Sequence, residues 1–178
     1  MSNARDRVLD AYETLLIDQG SGSATLDAVA AAAGVSKGGL LYHFASKEAL
    51  VTGLLGRLKE RSAADADNIR TAPDGPVAYY VRTSAPGGGI AGGVTRTYLA
   101  VLRVADASGT GLAAREALAT VDADAFAALQ QELHEPVLTW LAQLVGDGLY
   151  LRTLTGTPLP PGLDVEQLLA RMRTYLPG

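Results

Sequence analysis

The chain has 178 residues and a mass of 18.4 kDa, 48% hydrophobic by count, with a formal net charge of −4 and a pI near 5.1. A chain of this size and apolar content can bury a substantial core, in one domain or in a small head joined to a larger body. Zero cysteines exclude disulfides, thiol catalysis and cysteine-ligated zinc; no apolar run is long enough to span a bilayer and Met1 to Arg7 hold no signal-peptide core, so a soluble cytoplasmic protein is expected.

Arg5 to Gln19 reads as a first helix. Thr25 then caps a second from Leu26 to Ala33, since its hydroxyl can accept from a first-turn N–H and Asp27 suits the positive end of the helix dipole. Ala30 and Ala33 are small enough for another helix to cross closely. Gly34 stands where a left-handed C-terminal cap is wanted, Val35 fills the angle, and Ser36 caps a third, short helix. Gly38 and Gly39 in its first turn each cost about 1 kcal/mol relative to Ala, which calls for a reason. A bare backbone lets that helix approach a major groove closely, with Lys37 reaching a base edge or a phosphate.

Val35-Ser36-Lys37-Gly38-Gly39-Leu40-Leu41-Tyr42-His43-Phe44-Ala45-Ser46-Lys47 resembles the recognition helix and following turn of the TetR family of one-component transcriptional regulators. The resemblance covers roughly the first third of the chain and implies a three-helix DNA-binding head with a helix-turn-helix. By position it implies that Thr25, Ser36, Tyr42, His43 and Lys47 hold phosphates, while Lys37, Gly38 and Leu41 face bases. Leu41 cannot hydrogen-bond a base, so its contact is limited to a thymine methyl or another apolar edge. The acidic pI is consistent with DNA binding once charge is divided along the chain. Residues 1–61 carry seven basic and seven acidic side chains, and the remaining residues carry the whole deficit; no acid lies between Asp27 and Glu48, so the reading surface is locally basic. Few phosphate contacts per subunit are available, which makes two subunits necessary for useful affinity.

Ser46 and Glu48 open a long helix, with Leu50, Leu54, Leu55 and Leu58 at helical spacing, that runs to about Arg70. In the family this helix, 46–70, joins a head of residues 1–47 to a ligand-binding and dimerisation body of residues 71–178. Pro73, Gly75 and Pro76 mark the boundary. The body reads as five helices, from Pro76 to Ala85, Gly93 to Ala107, Leu112 to Leu133, Pro136 to Leu154 and Asp164 to Leu176, so the fold class is all-α.

The Pro136 to Leu154 helix carries two apolar stripes. Val137, Leu141, Leu144, Gly148 and Leu151 form one; Leu138, Ala142, Val145 and Leu149 form the other. Either the helix is wholly buried, or one stripe serves the core and the other a second copy, with Val165, Leu168, Leu169 and Met172 of the last helix beside it. The family's homodimer joins its last two helices in a four-helix bundle, which implies an interface from Leu138, Leu141, Val145, Leu149, Leu168, Leu169 and Met172; which stripe faces the partner stays open. Trp140, Leu144 and Asp147 share a helix face, an arrangement that suits a cationic aromatic ligand unless Trp140 is simply core and Asp147 its solvated edge. Tyr98, Phe126 and Tyr150 are further wall candidates. Residues 141–151 also resemble TetR regulators that answer cationic multidrug compounds and control efflux genes.

Enzyme chemistry finds little support. Gly87 to Gly92 matches G-x-G-x-x-G, but no strand pattern precedes it, and no Gly-Lys-Ser/Thr ending follows. His134-Glu135 starts like a zinc protease motif, yet the only other histidine is His43, so no metal or cofactor is expected. The sequence therefore predicts a TetR-like regulator, usually a repressor, that binds a palindromic operator as a homodimer and is released by a small molecule. The rival readings are a DNA-binding regulator without a small-molecule ligand and an all-α enzyme or carrier.

Overall fold

The computed structural model describes residues 3–87, 93–105 and 110–175, and every regular element among them is a helix. In chain order these are α1 (Ala4–Gln19), α2 (Leu26–Ala33), α3 (Lys37–His43), α4 (Lys47–Thr71), α5 (Pro76–Ser84), α6 (Val94–Val104), α7 (Gly111–Leu133), α8 (Pro136–Thr155) and α9 (Val165–Tyr175). Each expected helix is present with ends shifted by only a few residues. Residues 88–92 of the G-x-G-x-x-G run, the end of the expected Gly93 to Ala107 helix and Leu176 lie outside the described residues.

Local chemistry sets the ends. Asn3 accepts from the Asp6 N–H at the start of α1, Thr25 from Ala28 N–H at α2, Ser36 from Gly39 N–H at α3 and Ser46 from Ala49 N–H at α4. Gly34 takes the left-handed conformation, φ 65° and ψ 36°, and the Val35 N–H returns to the Ala30 carbonyl, which closes α2 and turns the chain sharply into α3. Glu135 holds the Val137 and Leu138 N–H groups at the start of α8, where Pro136 needs no acceptor of its own.

The chain packs as two compact units, one of residues 1–61 with 93–121 and the other of 62–92 with 122–178. In the first, Val8, Leu9, Tyr12 and Leu16 of α1 bury against Val29 and Ala30 of α2, Leu40 of α3, Leu50, Leu54 and Leu58 of α4, and Val101 and Val104 of α6. Gly53 is required there, because a Cβ on it would stand 2.6 Å from the Phe44 ring. In the second, Ile69 of α4, Val77 and Val81 of α5, Leu129 and Leu133 of α7, Ala142 and Leu149 of α8, and Leu169 and Met172 of α9 form the core. No helix among the described residues is long and apolar enough to cross a membrane.

Candidate nucleic-acid interface and the helical body

Leu40 is fully buried and fixes α3 against the first unit, so its neighbours on the other face point outward. Tyr42 is 86% exposed and Leu41 37% exposed, while Leu40 one step away is sealed. An aromatic this open has no packing role, and a solvent-facing phenol in the last turn of α3 suits a phosphate. Tyr42 and His43 meet edge to face, with ring centroids 5.1 Å apart, which restrains both. The hydroxyls of Thr25 and Ser36 spend a lone pair on their caps, leaving each O–H available to donate to an anion. Gly38 has nothing within 4 Å of a would-be Cβ and presents bare backbone outward, whereas Gly39 abuts the Ser36 hydroxyl.

The two lysines of this surface are both engaged. Lys37 Nζ lies 2.9 Å and 3.1 Å from the two carboxylate oxygens of Asp27. Lys47 Nζ donates to the Ser21 carbonyl at 2.8 Å and so ties the start of α4 to the loop before α2, with its other protons left for a phosphate.

Behind this surface lies an ionic cluster that the hydrophobic pattern does not point to. Glu13 of α1 is fully buried; its Oε1 accepts from Thr97 Oγ1 of α6 at 2.8 Å and lies 3.3 Å from both Arg57 Nη1 and Arg61 Nη1 of α4. Arg57 is itself buried and also donates to Asp10 at 2.6 Å and to the Asp6 carbonyl at 3.1 Å. Burial opposes the Arg57 charge, but the bond it donates to Asp10 and the field of Glu13 and Asp10 outweigh it and raise its pKa. The sequence signal was available: Asp6, Asp10 and Glu13 recur on one face of α1, opposite the i, i+4 pair Arg57 and Arg61.

In the second unit, α8 resolves into an inner and an outer face. Ala142 and Leu149 are buried and Leu138 and Val145 partly so, all packed into that unit's own core. Val137, Trp140, Leu141, Leu144 and Leu151 are 47–62% exposed. Of the residues expected at a dimer interface, Leu149, Leu169 and Met172 are buried in this unit, Leu138, Val145 and Leu168 pack partly against its core, and Leu141 lies on the open stripe. The inward choice is forced at Gly146, where a Cβ would stand 2.2 Å from the Tyr80 ring; α5 and α8 approach too closely there for any side chain.

The expected ligand residues fall in several places. Trp140 and Leu144 belong to the open stripe, 59% and 47% exposed. Tyr98 packs on the first unit's core, and Phe126 is half-buried in the second unit. Asp147 instead accepts a 2.7 Å hydrogen bond from the Tyr80 hydroxyl. Burial and the negative field of Asp147, Asp122 and Asp65 hold that phenol well above its usual range. Burial raises the Asp65 carboxyl, and burial together with Asp147 raises that of Asp122. Among the described residues, none of these three carboxylates has an ion-pair partner. No group of three or more His, Cys, Asp or Glu side chains among the described residues is placed to hold a metal ion. Sequence spacing along α8 identified Asp147 but not Tyr80, Asp65 or Asp122, because these come from three other helices.

Comparison with known proteins places this architecture. Residues 8–54 match the family described as bacterial regulatory proteins, tetR family. No curated protein matches the sequence. Among solved structures, the TetR-family regulator PfmR of Thermus thermophilus is 17% identical, with a TM-score of 0.66 over 100% of this chain and 98% of its own. NalD of Pseudomonas aeruginosa, the secondary repressor of the MexAB-OprM multidrug efflux pump, is 20% identical, with a TM-score of 0.65 over 97% of this chain and 96% of its own. A TetR-type transcriptional regulator of Streptomyces avermitilis is 26% identical, with a TM-score of 0.64 over 98% of both chains.

Proposed function

We propose that this chain, whose residues 8–54 match the family described as bacterial regulatory proteins, tetR family, is a homodimeric repressor of a palindromic operator, released by a small cationic molecule. DNA-binding regulation is the family's work, and the outward row of Leu41, Tyr42 and His43 above the sealed Leu40 carries the assignment to this surface. Residues 1–47 form the reading head, α4 the connector, and residues 71–178 the effector and dimer body. Thr25, Ser36, Tyr42, His43 and Lys47 grip phosphates, and Lys37, Gly38 and Leu41 meet base edges.

The dimer reading rests on the open stripe of α8. Exposed apolar side chains at Val137, Trp140, Leu141, Leu144 and Leu151 form the kind of continuous patch that a lone subunit does not leave in water. Pairing this stripe across a two-fold axis brings Gly148 of each copy to the contact, where its missing side chain permits close helix approach. The effector reading rests on Asp65, Asp122 and Asp147 around Tyr80: three carboxylates without ion-pair partners among the described residues offer charge neutralisation to a cation, and the phenol ring offers a face. NalD, a repressor of a multidrug efflux pump, is consistent with that ligand class. Effector binding shifts the dimer toward a form whose heads no longer match the roughly 34 Å between successive major-groove faces.

The test is selection of duplexes from a randomised pool by the purified protein, followed by titration of the winner. Tyr42→Ala should weaken binding to every duplex by a similar factor with unchanged folding, and retained affinity sinks the phosphate assignment. Aromatic cations should release the selected duplex more effectively than neutral analogues of the same shape, and Asp147→Asn should blunt that release; equal potency of the two sets rejects the effector class.

A further inference from the structure

We infer that Asp27, on α2, is a specificity-determining residue for DNA: it holds the Lys37 ammonium for a base edge and denies it to phosphates. The inference rests on the reading of α3 as the DNA-reading helix. Asp27 is the one acid between Asp18 and Glu48, on a segment whose other charged side chains are the cations Lys37 and Lys47. Both its oxygens address the ammonium, at 2.9 Å and 3.1 Å, across ten residues of chain and from the first turn of one helix to the first turn of the next. Neither partner is buried: their side chains are 58% and 70% exposed, so the core does not require the pair. The first turn of α2 favours the carboxylate and the Thr25 cap fixes that turn, so the anchor is more rigid than the lysine it restrains.

A lysine left free would adopt whichever rotamer brings it to the nearest phosphate, the contact that supplies non-specific affinity. Held astride Asp27, Lys37 keeps at least one N–H unspent and directed by the carboxylate instead of by the DNA backbone. A guanine edge, with O6 and N7 as acceptors, can take that proton while the ion pair persists. A phosphate approaching the same ammonium meets the Asp27 charge and is repelled. The pair thus penalises the wrong contact more than the right one, which is how discrimination is built without added affinity. Lys47 is tied to the Ser21 carbonyl instead of a carboxylate, so its remaining protons stay open to phosphate.

The experiment uses the full chain, the best duplex selected by the wild-type protein from a randomised pool, and a scrambled duplex of equal length and composition. Asp27→Asn should raise affinity for the scrambled duplex about five- to tenfold and change affinity for the selected duplex no more than about twofold, so the specificity ratio collapses. The slope of log K against log salt on the scrambled duplex should steepen by about 0.9, the signature of one added phosphate contact. Asp27→Ser, which also suits a first helical turn, should do the same. In the Lys37→Met background the steepening should vanish, because the added contact is made by Lys37 itself. An unchanged specificity ratio, or an equal steepening with methionine at position 37, overturns the proposal while leaving DNA binding by this head intact. If the wild-type protein selects no duplex, the reading of the head falls and this proposal with it.

Discussion

Glu13→Gln is the sharpest probe of the packing argument. The side chain is 1% exposed, its Oε1 is shared by Thr97, Arg57 and Arg61, and Arg96 Nε lies 3.6 Å from Oε2. The amide keeps the volume and one acceptor but deletes the buried charge, and places an N–H₂ group against Arg96, which has no acceptor to offer. Removing one member of a buried ion pair costs about 3–5 kcal/mol when its partner is stranded. Here the partners are not wholly stranded: Arg57 retains Asp10 at 2.6 Å and the Asp6 carbonyl, and Arg61 retains Thr97 and the Gly93 carbonyl. The expected loss is therefore about 2–3 kcal/mol. For a chain of this length that lowers the thermal midpoint by about 5–10 °C, measured by calorimetry at fixed protein concentration so that assembly does not move the midpoint. A fall of less than 2 °C would refute the claim that this carboxylate organises α1, α4 and α6, since it would mean that Asp10 and Asp6 suffice for Arg57.

Tyr12 is sealed in the first unit, its hydroxyl has no hydrogen-bond partner among the described residues, and burial together with Glu48 pushes its pKa up to about 12. Tyr12→Phe should stabilise the protein by about 1 kcal/mol at neutral pH by removing an unsatisfied donor. Since the folded pKa exceeds the unfolded one, this hydroxyl adds no pH dependence below pH 10, and the wild type loses about 2–3 kcal/mol of stability through it as pH rises toward 12. The Phe variant should lack that part of the alkaline decline in urea titrations, and parallel pH profiles would contradict the assignment. Gly146→Ala should cost about 1–3 kcal/mol, because the new methyl collides with the Tyr80 ring, whereas Gly148→Ala, with nothing within 4 Å, should be tolerated in the isolated subunit. Equal effects of the two in thermal melts would argue against the close α5–α8 approach. The Leu141→Glu, Leu144→Glu double variant should sediment as a folded monomer and lose operator affinity; an intact dimer would place the interface elsewhere.

How far each feature could be read from the sequence followed how local its physics is. The caps at Thr25, Ser36 and Ser46 and the left-handed Gly34 act over three or four residues, so their letters specify the helix-turn-helix directly, and the helices of the body follow from breakers at Gly75, Pro136 and Gly156. The orientation of α8 was not legible, because both of its stripes are apolar and periodicity cannot rank two equivalent faces; the Tyr80 ring against Gly146 decides it. The same holds for Asp147: its spacing from Trp140 is a property of one helix, but its partner Tyr80 arrives from α5. The Glu13 cluster escaped notice for a related reason, since charged residues on α1 look like a solvated face until Arg57 and Arg61 close over them.

The sequence by itself determined the element order and the helix-turn-helix, because capping, glycine geometry and helical spacing are written in adjacent residues. Tertiary structure alone decided which charges are buried, which stripe of α8 is spent on the core and which is left exposed, and that Lys37 is paired with Asp27. Those outcomes depend on distances between helices far apart in the chain, set by how their side chains pack.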